Sequence, residues 1–405
     1  VIPNNIQQIQ QEIRELTRNN NWQAIIQRLQ GICRPGQPGW QVSELLSSLG
    51  FAYTQVKKIA RAIAIYKRWT ELDPDQARPF YSLGYAYYLK QDWREAIYRF
   101  TQALERYPDY LICLYRLAYA YYAFNKPTKS LPVVERALEI YEDNADEDWL
   151  RRNRKTYARS LFLQGKVLYR LRKYPGALET FQKLLTIDKK QYIETEFKMY
   201  EIGKVFLAMK KYSRAIQYLE KALHRKFPQP YVLDRLGRTY HEMGEYSTAL
   251  EYYHRGLQIR RLPFILINRA QTYRQMGQIA AAVKDLYEAL RRDTKGKHKI
   301  YLELGNISME RKQLQEAFHY YRKAIKFKYK VYESDYAEAH YALVFYYLTI
   351  GKPDIARKEF QQALEINPRL EWDKTLGERL NLKEMPTVNF PYQEDSPEED
   401  EEVPF

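Results

Sequence analysis

The residues whose types could do chemistry are six histidines, two cysteines and two glycine–lysine pairs, and their spacing decides what that chemistry could be. His224, His241, His254, His298, His319 and His340 could ligate zinc or move protons, but no two stand at ligand spacing with each other or with Cys33 or Cys113. Gly165-Lys166 and Gly203-Lys204 lack the upstream glycine and the following Ser or Thr that a phosphate-cradling loop needs. No Gly-x-Ser-x-Gly nucleophile turn occurs. The expectation is a chain that is not an enzyme and carries no metal or cofactor. What it holds in quantity is tyrosine, 38 residues, and positive charge.

The charge is unevenly spread. Lys and Arg number 65 against 50 Asp and Glu, a formal +15. Seven acids and no base fall in residues 393–405 (Glu394, Asp395, Glu398, Glu399, Asp400, Glu401, Glu402), which leaves +22 on residues 1–392. A body that basic attracts an acidic protein segment, a nucleic acid or an anionic membrane surface, and net charge alone does not choose among them. No apolar run has the length of a membrane span, and the first 30 residues, rich in Gln, Asn and charge, do not read as a signal peptide. Two cysteines 80 residues apart are not a disulfide framework, so a reducing, cytoplasmic compartment is expected.

The elements that carry these residues repeat. Small residues recur at Gly50, Gly84, Ala118, Gly165, Gly203, Gly237, Ala270, Gly305 and, replaced by a larger one, Val344. Twelve residues after each stands Ala or Ser (Ala62, Ala96, Ser130, Ala177, Ala215, Ala249, Ala282, Ala317, Ala356). Four further on stands a large apolar or aromatic residue (Tyr66, Phe100, Val134, Phe181, Leu219, Tyr253, Leu286, Tyr321, Phe360). Nine registers agree at spacings of 33 to 47 residues. Each unit reads as two amphipathic helices joined by a short turn near Gln91, Gly244, Gly277 or Gly351. Small residues let the helices of a pair approach, and proline at Asp73-Pro74 and Asn367-Pro368 ends the second helix. No pair buries both its faces, so neighbours must stack.

This pattern resembles the tetratricopeptide-repeat family, from roughly Gln41 to Leu370. The resemblance implies an all-α, right-handed superhelical solenoid of antiparallel helix pairs whose first helices line a concave groove for a partner. Residues 1–35 are expected to be a divergent first repeat that caps the start, residues 36–370 nine units with a longer insertion at 143–159, residues 371–385 a closing helix, and residues 386–405 a disordered acidic tail. In the insertion, acids (Asp146, Glu147, Asp148) precede bases (Arg151, Arg152, Arg154, Lys155), which suits a lengthened, self-paired helix.

In this family the inward positions lie three residues before the small anchor and one and four after it. Around Gly84 and Ala118 the rule selects Tyr81, Tyr85, Tyr88, Tyr115, Tyr119 and Tyr122, a ladder of the residue favoured at interfaces. Packing between repeats accounts for some of the same rings. Further along the rule gives Lys166 and Tyr169, Tyr200 and Lys204, then Asp234, Arg238 and His241, with Arg170 and Arg235 adjacent, a mixed and mainly basic surface. Ordinary solvated charge explains that surface equally well.

A second basic feature is a ridge at the ends of the later second helices: Arg225 and Lys226, Arg260 and Arg261, Arg291 and Arg292, then Lys326, Lys328 and Lys330. Helix dipoles favour single cations there by about 0.3–1 kcal/mol; paired cations in four successive units go beyond that. The expected function is a scaffold or adaptor that holds an extended peptide, an acidic one among the candidates, or a partner protein in assembly or regulation of a larger complex. A solenoid for single-stranded nucleic acid is the alternative, with the acid run either competing for the ridge or serving as a solubilising linker.

Overall fold

The computed structural model describes residues 4–223, 230–368, 370, 372 and 374–380. Arg225 and Lys226, and the acidic run from Glu394 to Glu402, lie outside the described residues. Every regular element among the described residues is helical.

The chain divides into two compact units, Val1–Ile193 and Glu194–Phe405. The first holds five helical hairpins: Asn4–Arg18 with Trp22–Leu29, Ser43–Gln55 with Ile59–Leu72, Ala77–Leu89 with Trp93–Arg106, Leu111–Ala123 with Pro127–Glu142, and Glu147–Arg170 with Tyr174–Ile187. A short 3-10 turn, Pro38–Gln41, follows the first pair. The second unit holds Thr195–Ala208 with Tyr212–Ala222, Pro230–Glu242 with Tyr246–Ile259, Pro263–Gln275 with Ile279–Arg292, Lys297–Glu310 with Leu314–Tyr332, Ala337–Thr349 with Pro353–Ile366, and the short helix Lys374–Arg379.

The anchor pattern has a direct steric cause. A Cβ placed on Gly84 would come within 2.7 Å of the Phe100 ring, and one on Gly237 within 2.6 Å of the Tyr253 ring. The large residue sixteen positions on therefore fills the space that a glycine leaves open, and the two helices close on each other. Gly50 with Tyr66, Gly165 with Phe181, Gly203 with Leu219 and Gly305 with Tyr321 repeat the arrangement. Where the anchor is Ala118, the partner at twelve is Ser130, whose hydroxyl donates to the Ala118 carbonyl at 2.7 Å.

Seven residues after each anchor the backbone turns left-handed: Lys57, Gln91, Asn125, Arg172, Lys210, Gly244, Gly277, Lys312 and Gly351 all have φ between 56° and 78°. The register of the turn is thus common to all nine units, although only three of them use glycine there.

Packing between hairpins joins the units of the repeat into continuous cores. In the first unit one apolar cluster runs from Ile6 to Ala120, through Leu29, Leu49, Leu83 and Phe100. In the second, clusters centre on Leu219 and Leu236, on Leu266 and Leu286, and on Val344 and Phe360. The insertion contributes the opening turns of Glu147–Arg170, where the Asp146 carboxylate caps the helix by accepting from the Asp148 and Trp149 amides. Arg151 then pairs with Asp148 one turn back at 2.8 Å. Tyr141 stacks on Tyr157 with ring centres 4.0 Å apart, which fastens this longer helix to its neighbour.

Candidate partner-binding surfaces

The tyrosines of the first unit form one connected set of rings. Tyr81 stacks on Tyr85 (6.3 Å between centres, 3° between planes), Tyr85 on Tyr88 (5.9 Å), and Tyr88 meets Tyr119 at 5.5 Å. Tyr110, 5.0 Å from Tyr81, and Tyr107 beyond it extend the row. Tyr81, Tyr85, Tyr88 and Tyr119 are half-buried and keep part of each ring open, whereas Tyr115 and Tyr122 are buried. These last two rungs are core. Lys166 and Arg170 explain the burial of Tyr122: Arg170 lies 3.8 Å from its ring centre and donates to its carbonyl, and the buried Lys166 ammonium lies 5.0 Å from the ring. Tyr169 rests against Tyr174.

The residue that sequence reasoning missed is Arg116. Its guanidinium stands 4.5 Å from the Tyr85 ring centre, 4.8 Å from Tyr88 and 5.9 Å from Tyr115. Its buried Nε has no hydrogen-bond acceptor, and Arg116 has no ion-pair partner, among the described residues. Burial pushes the Tyr88 phenol up to about 12 and raises Tyr81 as well, against the pull of the Arg116 charge. The faces of Tyr85 and Tyr88 hold the cation, and Arg116 also reaches the hydroxyls of Tyr81 and Tyr88. The signal was present in the composition of the helix: Arg116 is the lone charge in Leu111–Ala123. It stands two positions before its anchor, outside the inward rule.

The second unit has a cavity of about 520 Å³. Its floor is Asp234, 3% exposed, whose carboxylate accepts from Asn268 at 2.7 Å. Burial raises the Asp234 pKa, while Arg235, Arg238 and the Asn268 bond oppose that rise. Arg235 donates to the Tyr200 hydroxyl at 3.3 Å, and Arg238 is exposed. Tyr231 and Phe264 stack 5.4 Å apart on its wall. Tyr200 and Lys204 are buried, and Lys204 pairs with Glu201 at 3.2 Å.

Elsewhere on the first helices of this unit, charge is matched internally. Arg269 grips Asp285 through two bonds of 2.7 and 2.8 Å, and Arg274 lies 3.3 Å from Glu310 and 3.8 Å from Glu303. His241 Nδ1 is 2.8 Å from the Thr272 hydroxyl, and burial lowers its pKa. Asn306 accepts from the Tyr321 hydroxyl.

The ridge is less uniform than its sequence. Arg261 and Arg292 both bond Glu288, whose carboxyl the Arg261 bonds hold down at about 2 despite its burial. Lys328 is 4% exposed with its ammonium 4.2 Å from the Tyr332 ring centre, so it faces the interior and not solvent. Of the described ridge cations, Arg260, Arg291, Lys326 and Lys330 are exposed and make no ion pair among the described residues.

Among the described residues no group of three or more His, Cys, Asp or Glu could hold a metal ion, and no helix is long and apolar enough to cross a membrane.

Sequence models of the tetratricopeptide repeat match residues 43–76, 75–143, 159–188, 199–226, 232–264, 267–330 and 337–370, well over half of the chain. The chain belongs to the tetratricopeptide-repeat family. Its repeats place it among scaffolds for protein interaction. Solved structures of similar fold include YrrB, described as a tetratricopeptide-repeat protein with an unusual peptide-binding site (22% identity, 45% of this chain and 86% of that one, TM-score 0.37). The human IFIT1 dimer with PPP-AAAA is 18% identical over 85% of this chain and 78% of that one, with a TM-score of 0.47. The APC/C hetero-tetramer Cut9–Hcn1 is 16% identical over 91% and 82%, with a TM-score of 0.45. No curated protein sequence matches.

Proposed function

We propose that this tetratricopeptide-repeat chain is a non-enzymatic scaffold that holds an extended peptide segment of a partner protein, in assembly or regulation of a larger complex. The observation that carries this reading is the half-open row of Tyr81, Tyr85, Tyr88 and Tyr119 around Arg116. Tyrosine rings offer large contact area with few rotors to freeze. A cation that makes no ion pair among the described residues, set among those rings, suits a segment with one acid flanked by apolar or aromatic residues. Cys33 and Cys113 are free, buried thiols, in keeping with work in a reducing compartment such as the cytoplasm.

The test is affinity purification with the full chain, with and without nuclease, beside Tyr85→Ala/Tyr119→Ala and Arg116→Gln. The proposal requires a protein partner that survives nuclease and is lost from both variants. Capture unchanged in the variants would reject the tyrosine row.

A second reading, single-stranded nucleic acid, draws on the exposed Arg260, Arg291, Lys326 and Lys330. It requires retention on a polynucleotide column that falls steeply with salt and with charge reversal at those four positions.

A further inference from the structure

We propose that the cavity of the second unit is a docking site for acidic peptide chain, and that its resident occupant is the acid run Glu394–Glu402 of the same protein. This goes beyond the tyrosine row, which belongs to the other unit, and it stands or fails separately.

The surplus positive charge of the cavity lies at Arg238 and Lys295. Arg235 and Arg238 reach it from the helix Pro230–Glu242, and Lys295 and Lys299 reach it from the loop and first turn of Lys297–Glu310. Two acids face these four bases. Asp293 is engaged by backbone, its carboxylate accepting from the Lys295 and Gly296 amides at 2.8 and 2.7 Å. Asp234 lies beneath the surface with Asn268 bonded to it. Arg238 and Lys295 are exposed, and neither makes an ion pair among the described residues. Cations on the adjacent first helices Thr195–Ala208 and Pro263–Gln275, namely Lys204, Arg269 and Arg274, are each matched by a carboxylate. Arg238 and Lys295 are therefore the cavity cations that an anionic chain can engage.

The protein carries a segment of that chemistry. Residues 394–402 place seven acids in nine positions with no base, between Pro391-Tyr392 and Val403-Pro404-Phe405. The acids match Arg238 and Lys295, and the flanking rings match the stacked Tyr231 and Phe264. Reach is sufficient. Thirteen residues lie between Leu380 and Glu394, and the connection spans up to about 48 Å when extended. The cavity lies three to four hairpins back, at roughly 10 Å for each packed layer. A tether of that length holds its end at an effective concentration near millimolar, so even a weak contact is well populated.

The experiment titrates a fluorescein-labelled peptide of residues 391–405 into three forms of the full chain. These are the wild type, a neutral-tail form (Glu394→Gln, Asp395→Asn, Glu398→Gln, Glu399→Gln, Asp400→Asn, Glu401→Gln, Glu402→Gln), and the neutral-tail form with Arg238→Glu and Lys295→Glu. Both cavity positions are exposed, so the reversals leave the packing intact, and circular dichroism checks that. The neutral-tail form should bind at least tenfold more tightly than the wild type, because its internal competitor is gone. The cavity reversals should then cost tenfold or more. Equal affinity in wild-type and neutral-tail chains would overturn the resident tail, and an unaffected cavity variant would overturn the site. Displacement by a single-stranded oligonucleotide or a phosphoserine peptide at lower concentration than by unlabelled 391–405 would overturn the assignment to acidic peptide. Tyr85→Ala/Tyr119→Ala should leave this titration unchanged, which separates its outcome from that of the first-unit reading.

Discussion

Adding one methyl group at Gly237 should destabilise its hairpin, although glycine is a poor helix former. In an exposed helix Gly→Ala gains about 0.8–1.0 kcal/mol. Here the new Cβ would stand 2.6 Å from Tyr253 Cε1, and carbon atoms prefer about 3.5–4.0 Å. The Tyr253 ring would have to retreat by about 1 Å, and at 1% exposure it has no open side to retreat into. Overpacking of this kind costs about 1–3 kcal/mol and can exceed the propensity gain, for a net loss on the order of 1 kcal/mol. The reverse change at the equivalent anchor, Ala270→Gly, should also destabilise, by about 1 kcal/mol, because there the methyl is already accommodated beside Leu286. Two opposite substitutions at one structural position that both lose stability exclude a propensity explanation. Repeat arrays unfold in parts, so the readout is amide exchange of the hairpin Pro230–Ile259 and urea unfolding together. Slower exchange in Gly237→Ala than in the wild type would refute the packing account.

Three further outcomes follow from the same geometry. At the left-handed turns Arg172 (φ 57°) and Lys210 (φ 56°), glycine should stabilise by roughly 0.5 kcal/mol, since the left-handed penalty of about 1–2 kcal/mol outweighs glycine's entropic cost; Gly244→Ala should lose a similar amount, and a shared sign in urea midpoints would contradict this. His340 is 3% exposed with Nδ1 2.5 Å from Glu359 and Nε2 3.0 Å from Asp335; burial opposes its charge, but the hydrogen bonds it donates to those carboxylates outweigh it and raise its pKa above 6.5. A raised folded-state pKa gives stabilisation that is complete below the unfolded value near 6.5 and is lost as pH rises through the folded value, so the urea midpoint should fall over that window in the wild type and stay flatter in His340→Gln; a midpoint rising with pH would count against it. Arg116→Gln should weaken partner affinity about tenfold, read by titration calorimetry, with the helix content unchanged; full affinity would remove Arg116 from the binding surface.

Much of this fold was legible because its determinants are local and periodic. The pairing of each anchor with the residue sixteen on is a contact within one hairpin, so spacing alone predicts it for Gly84 with Phe100 and for Gly305 with Tyr321. The common turn at position seven was visible where it holds Gly244, Gly277 or Gly351, and hidden where the same φ is held by Lys57 or Arg172. The surfaces were harder to read because they depend on what a neighbouring repeat brings. Tyr122 occupies an inward register yet is core, since Arg170 from 48 residues away covers it. Lys328 stands in a basic run, but the turn of its long helix directs it inside toward Tyr332. Glu288 pairs with Arg292 four residues on and also with Arg261, 27 residues back beyond the hairpin, and that second contact is what counting charges along the chain does not reveal. Arg116 was missed for the opposite reason: the inward rule came from the family, and the cation sits beside that register, with rings from two hairpins around it.

The central claim is that a partner segment lies along the first helices at the tyrosine row. Site-specific photo-crosslinking tests it most directly, with a photoreactive phenylalanine at position 85 or 119, and at Tyr98, an exposed residue of a second helix, as the contrast. Crosslinks to a partner peptide from 85 and 119 and none from 98 are the predicted result. Crosslinks from 98 alone, or equally from all three, would contradict it.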